Sequence, residues 1–216
     1  MAKFDILVAT TAHNQYVKEV CDLIEKSAAA RGTGIAKRTP DYIRKKIMEG
    51  KAVIALSERS ELAGFCYIES WGEQFAANSG LIVAEKFRNQ GLAMRVKRKA
   101  FELSRSKFPK AKLFGLTTSL AVMKINSELG YRPVTFSELT DDERFWMGCQ
   151  SCVNFDILTR TARKHCLCTG MLYDPTEKNK HPRKKFSEYK GKYARWLKMR
   201  ARFLLNKFAK NEDSEK

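Results

Sequence analysis

An apolar run that enters a glycine-bearing turn and then a long amphipathic stretch constrains this chain more than any other feature. Residues 81–93 read Leu-Ile-Val-Ala-Glu-Lys-Phe-Arg-Asn-Gln-Gly-Leu-Ala. Such a string predicts a strand, a tight turn and a helix in direct succession. The first amides of a helix have no intrahelical acceptor, and the helix dipole adds positive potential at the same end. Together they make an anion cradle suited to a pyrophosphate. Gly91 and Ala93 carry almost no side chain, so a phosphate can approach the backbone closely. Arg88 adds a fixed cation with donors matched to phosphate oxygens.

Two other phosphate-binding patterns are excluded. The chain holds no Gly-x-x-x-x-Gly-Lys-Ser/Thr string and no Gly-x-Gly-x-x-Gly after its first strand, as a nucleoside-triphosphate loop or a dinucleotide fold would require. An ordinary strand–turn–helix joint with a glycine in its first turn is the plain alternative.

The flanking sequence predicts a mixed α/β sheet with helices on both faces. Ile6–Ala9 reads as a first strand. Tyr16, Val20, Leu23 and Ile24 recur at helical spacing, and Arg31-Gly32-Thr33-Gly34 closes that helix. Thr39-Pro40 opens a second helix, as cap and first-turn proline, with Ile43 and Ile47 on one face. Strands are expected at Ala52–Leu56, Leu62–Ile68 and Ser79–Val83. A helix from Asn89 to Phe108 presents Leu92, Val96, Ala100 and Leu103 to the core and Arg95, Lys97, Arg98 and Lys99 to water. A strand at Lys112–Thr117, a helix at Leu120–Leu129 and a segment through Tyr131-Arg132-Pro133-Val134 complete the order.

Composition limits the setting. The chain has 216 residues, enough for one domain and an appendage, and a formal net charge of +17. Residues 178–216 hold 14 Lys/Arg against 4 Asp/Glu, a net +10, which leaves +7 for everything before them. No apolar run approaches a membrane span. The N-terminus reads as a strand and lacks a cleavage pattern. Six cysteines without a secretory signal point to a reducing, cytoplasmic setting with free thiols or metal ligands.

The cradle resembles the acetyl-coenzyme A motif of the GNAT acyltransferases, Leu-x-Val-x-Pro-x-x-Arg-x-x-Gly-x-Gly/Ala. Leu81, Val83, Arg88, Gly91 and Ala93 fit it, while Glu85 replaces the proline. The element order is the one that fold uses, and the resemblance extends over residues 5–150. A narrower likeness is to the catalytic domain of short, stand-alone N-acetylglutamate synthases. It rests on Gly34-Ile35-Ala36-Lys37-Arg38, Lys112-Leu113-Phe114-Gly115-Leu116-Thr117-Thr118, Glu128-Leu129-Gly130-Tyr131-Arg132-Pro133-Val134 and Phe145-Trp146-Met147-Gly148-Cys149.

The resemblance implies a GNAT domain over residues 1–148, with acetyl-coenzyme A or another acyl-coenzyme A as co-substrate and an amino acid, foremost L-glutamate, as acceptor. Transfer to a protein N-terminus, a lysine or a polyamine is the alternative within the enzyme class. The resemblance assigns Leu81, Ile82 and Val83 to the pantetheine arm, with one of the amides near Ile82–Val83 on the oxyanion. Arg88, Asn89, Gln90, Gly91, Leu92 and Ala93 are assigned to the pyrophosphate. Glu69 and Glu73 are the candidate bases. The tyrosine that many relatives use as general acid falls at Asn126, which can donate a hydrogen bond but not a proton. Arg38, with Lys37 and Arg132 as further candidates, would hold the acceptor's carboxylates. Tyr131 reads as core.

Residues 149–177 read as an extension packed on the domain. In it, Cys149-Gln150-Ser151-Cys152 and Cys166-Leu167-Cys168 could give four thiolates to a tetrahedral zinc or simply pack as small hydrophobes. Cys21 and Cys66 read as core. Residues 178–216 place Tyr189, Tyr193, Trp196, Leu197, Phe203, Leu204 and Phe208 at near-helical spacing among many cations. This predicts a basic amphipathic helix, laid on its own domain or on a homodimer partner, with nucleic acid or an anionic surface as the sharper alternative. A GNAT fold recruited as a nucleic-acid-binding module is the corresponding reading outside the enzyme class.

Overall fold

The computed structural model describes residues 3–31 and 36–177. The chain divides into two units, Met1–Thr176 and Glu177–Lys216, and the fold described is that of the first. The expected closing turn of the first helix at residues 32–34, the Gly34-Ile35 part of the Arg38 motif and the basic tail at 178–216 lie outside the described residues.

In chain order, β1 (Phe4–Val8) is followed by a 3-10 turn (Thr11–Tyr16) and α1 (Val17–Arg31). Then come α2 (Pro40–Met48), β2 (Ala52–Ser57), β3 (Leu62–Trp71), β4 (Phe75–Val83), a 3-10 turn (Glu85–Phe87) and α3 (Leu92–Lys107). The remainder is β5 (Lys112–Thr117), α4 (Leu120–Glu128), β6 (Arg132–Val134), a 3-10 turn (Phe136–Glu138), α5 (Glu143–Met147), α6 (Phe155–Arg160) and β7 (Thr169–Tyr173). The seven strands form one mixed sheet in the order β1-β2-β3-β4-β5-β7-β6. Only β4 and β5 run parallel. Among the described residues no helix is long and apolar enough to cross a membrane.

Local chemistry sets the boundaries. Thr39 caps α2 by accepting from the Tyr42 amide at 3.3 Å, and Pro40 fills the first turn, where no amide is needed. Asp142 caps α5, accepting from the Arg144 amide at 2.9 Å. Ile43 and Ile47 turn inward from α2 and pack with Val20 and Ile24 of α1 against Phe65, Tyr67 and Ile82. On the other face, Leu92, Val96 and Ala100 of α3 cover Val53, Ala55, Ala63 and Cys66. Side chains at i and i+2 share a sheet face, so Phe65, Tyr67 and Glu69 face α1 and α2, whereas Cys66 faces α3.

Three features differ from the sequence expectation. The β3–β4 hairpin is longer at its turn end, because Phe75-Ala76-Ala77-Asn78 is strand as well: Ile68 pairs with Asn78, Glu69 with Ala77 and Trp71 with Phe75. Small residues with weak strand propensity are held there by pairing on both sides. Lys97, read as solvent-facing, is 1% exposed. Finally, Thr169–Tyr173 forms β7 within the sheet, between β5 and β6, pairing Leu113 with Tyr173 and Arg132 with Leu172.

Candidate active site

The sheet opens at its centre. The strands β4 and β5 pair only from Phe75↔Lys112 to Ala77↔Phe114. Beyond Ala77 they diverge, and the gap becomes a cavity of about 400 Å³. Two devices turn β4 away. Its register with β3 shifts between Phe65 and Tyr67, and Gly80 adopts φ +64° at this irregularity. A Cβ on Gly80 would lie 2.4 Å from Tyr67 Cε1, so only glycine lets the two strands pass. Asn78, Gly80, Leu81 and Ile82 form one wall, and Gly115 to Thr117 form the other.

The turn that follows β4 has the expected anion geometry. Asn89 and Gly91 both take left-handed backbone conformations, φ +62° and +71°. Gly91 is the N-cap of α3, where no side chain caps the helix and the first turn has no acidic residue. A Cβ on Gly91 would meet nothing within 4 Å, and the residue is exposed. The open amides at Gly91, Leu92 and Ala93 therefore fit a diphosphate on chemistry and on space. Gln90 and Arg88 are exposed beside them, with Arg88 Nε donating to the Val83 carbonyl at 3.3 Å. The turn forms with Glu85 at its first position, so the missing proline is not essential to it.

Glu69 and Arg38 enter the cavity from the α1–α2 side. Glu69 Oε2 accepts from Lys46 Nζ at 2.7 Å, while Oε1 is buried without a hydrogen-bond partner. Burial pushes the Glu69 carboxyl up to about 7, and the Arg38 charge opposes this. Burial pulls the Lys46 ammonium down to about 8. The short contact between the two favours the ionised pair, so a small change in surroundings can move a proton here. Arg38 Nε donates to the Tyr67 hydroxyl at 2.7 Å, and its guanidinium stacks 5.1 Å from the Tyr42 ring centroid. Its outer nitrogens reach Gly148 O at 3.4 Å and Ser151 Oγ at 3.5 Å, tying β3 to the segment after α5.

From the α3–α4 side come Lys97 and Asn126, both 1% exposed and both on the cavity wall. Asn126 Nδ2 contacts Met171 Sδ at 3.6 Å, and its Oδ1 has no hydrogen-bond partner. Gly115 makes room for it, since a Cβ there would lie 2.9 Å from Asn126 Nδ2. Tyr131 is buried in the core and donates from its hydroxyl to Asn78 Oδ1 at 3.2 Å.

The remaining candidates are not brought here. Glu73 is exposed in the turn after β3, which continues past Glu69 to Trp71 instead of ending at it. Lys37 points outward and pairs with Glu25 at 3.1 Å. Arg132 pairs with Glu138 at 2.9 Å on β6, two strands beyond β5. Cys149, Cys152 and Cys168 line the cavity. Burial, then the neighbouring thiols, pushes Cys149 up to about 11 and Cys168 up to about 12. Among the described residues no group of three or more His, Cys, Asp or Glu side chains is arranged to hold a metal ion.

Sequence reasoning missed Lys46, Lys97 and Tyr67. Two of them carried a signal. Lys46 follows Ile43 by three residues on the buried face of α2. Lys97, Phe101 and Ser104 repeat at i, i+4 and i+7 beside the Leu92–Val96–Ala100 stripe, which widens the buried face of α3.

Neither a protein-family model nor a curated protein matches the sequence. Solved structures do. The N-acetylglutamate synthase of Neisseria gonorrhoeae, complexed with coenzyme A and N-acetyl-glutamate, superposes with a TM-score of 0.58 at 15% identity over 81% of this chain. This chain covers 35% of that enzyme's length. Rv2747 from Mycobacterium tuberculosis, in complex with CoA and NLQ, gives 0.58 at 12% identity, with 79% of this chain and 98% of that one covered. A GNAT-family acetyltransferase of Staphylococcus aureus gives 0.53 at 12% identity, covering 65% and 92%. The splayed sheet, the open α3 N-terminus and these superpositions agree: the described chain has the GNAT acetyltransferase fold.

Proposed function

We propose that this chain transfers an acyl group, foremost acetyl, from acyl-coenzyme A to the amine of an amino acid, with L-glutamate the favoured acceptor at the head of arginine biosynthesis. The observation that carries the reading is the divergence of β4 from β5 past Ala77, which opens a cavity lined by a carboxylate and a guanidinium along the strand that leads to the open N-terminus of α3. The Neisseria and Mycobacterium proteins named above, both solved with coenzyme A, support it.

When bound, the thioester supplies an activated acyl carbon. The amides from Asn89 to Ala93, with Arg88, hold the diphosphate. The unpaired edge of β4 at Leu81–Val83 holds the arm, and one of its amides faces the developing oxyanion. Glu69, half-neutral near pH 7, takes a proton from the acceptor amine, directly or through one water. Arg38, fixed by Tyr67 and Tyr42, receives a carboxylate of the acceptor. Asn126 occupies the general-acid position of other GNAT enzymes and orients without supplying a proton.

The test is release of free thiol from acetyl- and succinyl-coenzyme A in the presence of a panel of amino acids, polyamines and peptides. Turnover with glutamate supports the proposal. Turnover confined to a polyamine or a peptide N-terminus replaces the acceptor and keeps the chemistry. Absence of coenzyme A binding overturns both.

A further inference from the structure

Lys97 is an anomaly on any structural account. It reaches from α3 to the point where β4 leaves β5, and its Nζ touches the Asn78 carbonyl at 3.4 Å. It is 1% exposed, yet among the described residues no carboxylate pairs with it. The titratable groups packed against it are Cys66 on β3 and Tyr131 after α4, whose ring centroid lies 5.5 Å from Nζ. Burial raises both, Cys66 to about 11, so both are neutral near pH 7 and neither is a counter-ion. A buried ammonium with one carbonyl contact and one aromatic face is expensive to maintain, because these offset only part of the lost hydration. A methionine of similar volume would pack here at no such penalty. The charge therefore suits an anion that forms beside it during the reaction.

The cavity says where that anion forms. Lys97 and Asn126 line it from the α3–α4 side of the sheet, and Glu69 and Arg38 from the α1–α2 side. The gap is thus lined by a carboxylate from one side of the sheet and by an ammonium from the other. Asn78 is the first β4 residue past the last β4–β5 pair, so Lys97 sits at the apex of the splay. An arm lying along β4 from the Gly91 end reaches that apex with its far end, which is the sulfur.

We propose that Lys97 is the catalytic cation that receives the thiol leaving group, taking the part Asn126 cannot play. This rests on the acyl-coenzyme A reading above. As the carbon–nitrogen bond forms, the carbon–sulfur bond breaks and its electron pair goes to sulfur. Lys97 Nζ gives sulfur a proton and becomes a neutral amine. The acceptor nitrogen gives its proton to Glu69. Exchange with solvent then returns a proton to Lys97 and removes one from Glu69, so the cycle closes with an amide and a neutral thiol. Burial, which lowers the Lys97 ammonium to about 8, brings it close to the ordinary thiol value, the kind of match that favours proton transfer.

The test needs no acceptor and no turnover. Coenzyme A itself, with its free thiol, is bound to the full chain and to Lys97→Met, and thiolate absorbance is followed against pH. In the wild type the bound thiol should ionise about one pH unit or more below the free thiol, as an opposite charge in contact produces. In Lys97→Met it should ionise at or above the free value, while coenzyme A affinity changes less than about threefold. Lys97→Arg, which keeps the charge, should retain the lowered value and serves as a second variant if methionine disturbs the fold. Bound coenzyme A whose thiol ionises alike in wild type and Lys97→Met overturns this inference alone. Failure of the wild type to bind coenzyme A overturns it together with the reading it rests on.

Discussion

Lys46 Nζ lies 2.7 Å from Glu69 Oε2, with 9% and 17% of the two side chains exposed. This pair is half-formed chemistry. One carboxylate oxygen is held and the other is buried without a hydrogen-bond partner. A carboxyl raised to about 7 is a base near neutral pH and an acid below it.

Glu69→Gln should therefore lower kcat about 10²- to 10⁴-fold, the range for a lost general base. In the wild type the reactive form is the carboxylate, so activity should fall as pH drops through 7. That acidic limb should vanish from the variant's pH–rate profile, while the rise due to the acceptor amine at higher pH persists.

Lys46→Met removes the charge that favours the carboxylate. The acidic limb should then move up by about one pH unit or more, because burial is left unopposed by its nearest cation. A limb that stays in place would assign it to another group.

Arg38→Gln keeps hydrogen bonding but loses the charge offered to a carboxylate. A charged hydrogen bond contributes about 1.5–3 kcal/mol, so KM for a carboxylated acceptor should rise about 10- to 100-fold. KM for acetyl-coenzyme A should stay within about twofold, since Arg38 stands on the α1–α2 side of the sheet.

Gly80→Ala tests the splay. Its Cβ would overlap Tyr67 at 2.4 Å in a backbone conformation that disfavours any side chain. Urea unfolding should show a loss of at least about 2 kcal/mol. Because Tyr67 holds Arg38, acceptor KM should rise as well.

Gly91→Leu should behave differently. Its Cβ meets open space, so the only structural penalty is the left-handed backbone, about 1–2 kcal/mol. Coenzyme A affinity measured by calorimetry should fall more than about tenfold, because the side chain projects from the cap residue of the cradle. Unchanged affinity would remove the α3 N-terminus from the site.

The parts of this fold that could be read from the sequence are those where local chemistry and tertiary structure agree. Thr39-Pro40 starts α2 by its own capping bond, and Gly91 marks the turn because few other residues tolerate its φ. The turn end of β4 was hidden because Ala76 and Ala77 have no strand preference of their own; β3 and β5 hold them in line. Glu69 was legible as a strand carboxylate, but Lys46, which donates a hydrogen bond to it, comes from a helix 23 positions away. Lys97 was misplaced because a lysine on a charged helix reads as wet unless the gap in the sheet behind it is known. Glu73 lay near Glu69 in sequence and was separated from it by two further residues of strand.

The late strand β7 has a bearing on synthesis. It lies between β5 and β6, and among the described residues β6 has no other neighbour in the sheet. Until Thr169–Tyr173 leaves the ribosome, β5 presents a bare edge with Phe114 and Leu116 beside it, and the short β6 has nothing to join. The emerging chain is thus exposed to mispairing from the completion of β5 until β7 arrives, and any stop before residue 169 leaves a nascent product with a ragged sheet for quality control to find.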